Sequence, residues 1–80
     1  MNPALNEAID RRFAFFAHLA TFNRRGMHLV DPWPIGIRLG FSRYETECVL
    51  ATLVKVGWIE RVHRDDGERV ALTALGLARL

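Results

Sequence analysis

The sequence predicts a mainly α-helical domain with one small β-hairpin, an α+β chain of 80 residues that is too short for more than one domain. Three observations carry this. A capping signature, Ser42-x-x-Glu45, opens an apolar stripe at helical spacing. A short Pro-flanked helical segment ends three residues before it. A stretch of strand-forming residues, broken by Asp65-Asp66-Gly67-Glu68, follows it. Residues 31–72 hold all three, and the rest of the chain is read around them.

The longest-range signal is the helix expected at about 43–56. Ser42 and Glu45 can each satisfy a free backbone N–H of the other's residue. Thr46, Val49, Leu50, Leu53 and Val54 recur at helical spacing and define the face to be buried. Gly57 suits the left-handed position that ends a helix, and Lys55 sits in the last turn, where the helix dipole favours a cation. The opposite face carries Arg43, Tyr44, Glu47, Cys48, Ala51 and Lys55.

From the N-terminus, Asn2 can cap a helix with Pro3 at its first position. That helix runs to about residue 23–25 and stops before Gly26. It carries two apolar stripes: Ile9, Phe13, Phe16 and Ala20, and then Phe15, Leu19 and Phe22. Two stripes cover an arc that needs a second surface. Either the chain wraps the helix from both sides or a second copy covers it. The expectation is a homodimer with Phe15, Leu19 and Phe22 at the interface.

Met27–Val30 is apolar and bounded by Gly26 and Asp31-Pro32, which suits a small strand. Pro32 and Pro34 fit only the first turn of a helix, here at about 33–39. Gly40-Phe41-Ser42 is then the turn into the longer helix. Trp58–Arg64 and Arg69–Leu72 read as two strands joined at 65–68, where Asp and Gly favour a turn. Thr73 can cap a last short helix over 74–80.

A helix pair followed at once by a hairpin is the core of a winged helix-turn-helix, here in the order helix, small strand, helix, helix, strand, strand and a short C-terminal helical turn. In that fold the 43–56 helix enters the major groove and the 58–72 hairpin is the wing. Arg43 could bond two acceptors on a guanine, Tyr44 could reach a phosphate, and Glu47 could accept from a cytosine amine. Ser42, Arg38, Lys55, Arg61, Arg64 and Arg69 complete the candidate contacts to double-stranded DNA.

The run from Leu53 to Leu80 resembles the second half of a MarR-type winged helix. The matching positions are Leu53, Gly57, Trp58, Ile59, Arg61, Asp65, Asp66, Arg69, Leu72, Thr73 and Gly76. The resemblance covers residues 31–80 and implies DNA binding, with the wing arginines near the minor groove or the backbone. The chain departs from that family in lacking its long dimerising terminal helices and the ligand pocket they form, so no small-molecule effector is expected.

The net charge is only +2, with a sequence pI of about 9.3. That modest balance, Glu47 and the acidic Asp65, Asp66 and Glu68 favour a rival reading: a winged helix that binds protein and has little DNA affinity. Chemistry has little to stand on. His18, His28 and His63 lack ligand spacing, Cys48 has no cysteine partner, and no phosphate-binding loop or nucleophile–base set is present. No enzyme activity, metal or cofactor is expected. One cysteine, no signal peptide and no apolar span point to a cytoplasmic setting.

Overall fold

A computed structural model describes residues 3–80, with side chains from Arg11 onward. Asn2 as a cap and the placement of Ile9 lie outside the described residues. In chain order the elements are α1 (Pro3–Arg24), α2 (Pro32–Arg38), α3 (Arg43–Lys55), β1 (Ile59–Arg64), β2 (Gly67–Leu72) and α4 (Ala74–Ala78).

α3 is built as its sequence dictates. The Ser42 Oγ accepts from the Glu45 N–H and the Ser42 N–H donates to Glu45 Oε1, both at 3.0 Å. Thr46, Val49, Leu50 and Leu53 are buried, whereas Val54, expected in the same stripe, is 40% exposed. The chain leaves α3 through Gly57 at φ +80°, a conformation that costs glycine nothing.

The core gathers Phe15, Phe16 and Leu19 of α1, Val30, Ile35, Val49, Leu50 and Leu53, and Ile59 and Val70 of the hairpin. This overturns the proposed dimer interface. Phe15 and Leu19 are wholly inside the chain's own core, and Phe22 packs at its margin. The reason is geometric: α1 touches α2, α3 and β2. At about 100° per residue, Phe22, Phe15, Leu19, Phe16 and Ala20 span an arc of about 160°. Three neighbours cover such an arc without a second chain. Phe13, at its edge, is 56% exposed.

The small first strand is reduced to one antiparallel bridge. Val30 and Val70 exchange both backbone hydrogen bonds, at 3.0 and 2.8 Å, and the sheet proper contains only β1 and β2. Asp31 then caps α2 and Pro32 opens it, which turns the chain away after a single pair. The hairpin is tighter than expected: Arg64 pairs with Gly67, so only Asp65 and Asp66 lie outside the ladder.

Two glycines matter for what they lack. A Cβ on Gly36 of α2 would lie 2.0 Å from the Thr46 hydroxyl oxygen, so the Thr46 side chain of α3 fills the space that a side chain on α2 would need. A Cβ on Gly76 of α4 would lie 2.1 Å from the Trp58 carbonyl oxygen. Gly76, a weak residue for a helix interior, is there because α4 presses on the start of β1. Thr73 caps α4 by accepting from the Gly76 N–H at 3.0 Å.

Candidate nucleic-acid interface

α2, the Leu39–Ser42 turn and α3 form the helix-turn-helix, and the hairpin lies beside the N-terminal half of α3. Between them is a shallow concavity of about 520 Å³ lined by Trp33, Arg43, Tyr44, Glu47, Arg61 and Glu68. Each side chain reaches it for a local reason. Trp33 follows Pro32 in the first turn of α2 and is half-buried against the core. Arg43 and Tyr44 open α3 just after its cap, and Glu47 lies one turn on. Arg61 and Glu68 come from the hairpin's inner face. By strand alternation that face carries Ile59, Arg61 and His63 opposite Leu72, Val70 and Glu68. It is apolar over the core and turns polar where it passes α3.

Arg43 stands over the Trp33 ring, its guanidinium carbon 4.3 Å from the ring centre. A cation held on an aromatic face keeps its N–H edge available. Tyr44 is 78% exposed, and a hydrogen bond with the neighbouring Cys48 pushes its phenol above the ordinary tyrosine value. The backbone N–H of Ser42 holds Glu45 below the usual carboxylate range, with further help from the Ser42 hydroxyl and from Arg11 of α1, its ion-pair partner.

All three guanidinium nitrogens of Arg61 meet carboxylates. Its Nη1 and Nη2 donate to the two carboxylate oxygens of Glu47, at 2.8 and 2.9 Å. Its Nε donates to Glu68 Oε1 at 2.9 Å, and Nη2 lies 2.7 Å from the same oxygen. The hydrogen bonds from Arg61 draw Glu47 below its ordinary value, and those from Glu47 draw Arg61 above its own. Arg69 is paired as well, with Asp66 at 3.0 Å, and it donates to the Glu68 carbonyl.

The expected contact residues therefore separate. Arg38, Arg43 and Arg64 are exposed and make no ion pair among the described residues. Ser42 is a cap. Glu47 and Arg61 are spent on each other, which corrects the expectation that one reads a base and the other meets a phosphate. Arg69 is held by Asp66. Lys55 lies 12 residues beyond Arg43 (55 − 43) on α3, about 18 Å along the helix at 1.5 Å per residue, outside the concavity. Trp33 and Glu68 were missed. Trp33 had a signal, an aromatic residue between two helix-opening prolines. Glu68 had one in the hairpin register, once the turn is shortened to Asp65-Asp66.

Among the described residues no group of three metal-binding side chains comes together. His28 instead pairs with Asn23 at 3.1 Å. No described helix is long and apolar enough to cross a membrane.

The class defined by these elements is a mixed α+β domain with a helix-turn-helix and a two-stranded antiparallel hairpin, consistent with a winged helix. No protein family matches the chain, and no curated protein is similar to it. Among solved structures, the fold is similar to that of a probable transcriptional regulator from Pseudomonas aeruginosa, with a TM-score of 0.60 and 24% sequence identity. The match spans 96% of this chain and 68% of that one, and at this identity it is a likeness of fold.

Proposed function

We propose that this chain is a DNA-binding transcriptional regulator of the winged-helix type, with α3 in the major groove and the β1–β2 hairpin as its wing. The observation that carries the reading is the exposed N-terminal turn of α3. There Arg43 rests on Trp33 and makes no ion pair among the described residues, beside a protruding Tyr44 and next to the hairpin. Arginine is the side chain best matched to two acceptors on one guanine. Arg38 and Arg64 flank it as phosphate contacts. The fold likeness to a probable transcriptional regulator supports the same reading.

Within it, the Leu53-to-Gly76 motif makes the chain MarR-like, the reading includes no chemical step, cofactor or effector, and the setting is the cytoplasm. The chain acts as a homodimer. Support for this is the apolar surface outside the core, Phe13, Val56 and Leu75 among it, now that Phe15 and Leu19 are internal. Sedimentation at micromolar concentration tests it.

The test of the whole is titration onto random duplex DNA at two salt concentrations. With Arg38 and Arg64 of each subunit on the backbone, a dimer neutralises about four phosphates, and log K falls against log salt with a slope of about −3.6. Affinity at 50 mM salt no tighter than about 10⁻⁴ M removes the DNA reading. One observation favours the rival in that event. Glu47 and Glu68 converge on Arg61, and Asp66 neutralises Arg69, so the surface carries little excess positive charge. A winged helix with such a surface fits a protein partner, and Arg43, Tyr44 and Ala51 form the first face to test.

A further inference from the structure

The guanidinium of Arg61 has five N–H donors, and three of its nitrogen atoms meet carboxylates from two other elements. Glu47 stands on α3 and Glu68 on β2, while Arg61 itself stands on β1. The geometry is the side-on fork that arginine forms with carboxylates and lysine cannot. Glu68 is also well covered, its side chain 14% exposed, and Arg61 only 24%. A phosphate that took Arg61 would have to displace both carboxylates and would leave two negative charges facing the DNA backbone.

We propose that Arg61 is a positioning residue that locks the hairpin to α3, so that helix and wing meet DNA as one rigid unit with Glu47 and Glu68 serving the lock. The inference rests on the DNA reading above and deepens it. DNA docks with the lock closed, so Arg61 contributes alignment and releases no counterion. Alignment matters for a sequence that must fit helix and wing together. It matters little for loose association along any backbone.

The experiment uses the full chain, the duplex best enriched from a randomised pool, and a random-sequence duplex, each over a salt series. Arg61→Gln weakens the enriched duplex about tenfold, equivalent to about 1.4 kcal/mol, and the random duplex by no more than about twofold. The specificity ratio falls while the salt slope stays unchanged. Arg61→Lys gives the same loss, because a point charge cannot bridge both carboxylates. Glu47→Gln also lowers the ratio. Arg64→Gln, the control, weakens both duplexes alike and flattens the slope.

Three results overturn the proposal: a flattened slope in Arg61→Gln, full rescue by Arg61→Lys, or tighter binding with a steeper slope in Glu47→Gln, as expected if Arg61 were released to a phosphate. A measurement without DNA keeps the two ideas apart. In urea unfolding, Glu47→Gln, Arg61→Gln and the double variant are non-additive if the lock exists. Additivity sinks the lock whatever DNA does. A coupled pair in a chain that binds neither duplex overturns the DNA reading and the positioning role together, and leaves a hairpin brace.

Discussion

The start of α3 and the hairpin beside it present the same side chain in opposite conditions. Arg43 lies on a neutral ring and keeps its donors; Arg61, across the same concavity, gives its donors to two acids. Arg64 and Arg69 repeat the contrast on the hairpin, one unpaired among the described residues and the other held by Asp66. A cation's presence in the sequence says what it could bind. Its nearest carboxylate decides whether it is free to do so. Charge at this surface is divided between the start of α3, where Arg43 is unpaired among the described residues, and the hairpin, where Arg61 and Arg69 are braced.

Both regions hang on one core, so the largest effect removes the comparison altogether. Leu53→Ala, at a wholly buried residue of that core, costs about 2–5 kcal/mol in chemical unfolding. A loss below about 1 kcal/mol would detach α3 from the core described here. Arg43→Ala comes next and sharpens the reading half. Discrimination at one base position falls by about 1–3 kcal/mol on a selected duplex, while other positions keep theirs. A uniform loss at all positions would make Arg43 a backbone contact like Arg64.

Ser42→Ala probes the foundation of that end. Losing the cap costs about 1 kcal/mol of stability; weaker DNA binding with unchanged stability would make Ser42 a contact instead. Glu45 and Glu47 add a pH signature. Both are held below the ordinary glutamate value of 4.5, so their stabilisation is fully present above it and is lost as pH falls through their lowered values. Melting temperature therefore holds from neutrality to about 4.5 and declines below, and Glu47→Gln makes that decline shallower. The smallest effect separates the two hairpin arginines. Arg64→Gln lowers the salt slope by about 0.9 per subunit, and Arg69→Gln by clearly less, since Arg69 is already paired with Asp66. Equal changes would abolish the distinction between free and braced cations.

What could be read from the chain beforehand was local. Ser42 and Glu45 are three residues apart, and both halves of the capping box formed as expected. Thr73 capped its helix, and a turn closed the hairpin within the expected 65–68, at Asp65-Asp66 alone. What could not be read depended on contact between distant residues. Phe15 and Leu19 looked surplus because nothing local reveals that α2, α3 and β2 all reach α1. Arg61 looked available because Glu47 stands 14 residues away on another element. Even so, Ile59-x-Arg61 placed Arg61 on the inward face of β1, and that alternation was a legible warning against calling it a phosphate contact. The hidden reasons for Gly36 and Gly76 were of the same kind: each glycine is explained by an atom from another element, Thr46 or Trp58.

The single bridge between Val30 and Val70 also bears on how the chain folds. It joins residues 40 positions apart (70 − 30) and closes a loop that contains α2, α3 and most of the hairpin. Contacts of such long separation cost the most chain entropy to form and reward it only when the rest is in place. The bridge is therefore a late fastening, made after α3 and the hairpin have settled against each other. Its two amides, each hydrogen-bonded to the other residue's carbonyl, exchange with solvent only when that loop opens. Their exchange rates therefore report release of this fastening, whereas the exposed turn at Asp65-Asp66 reports only local motion.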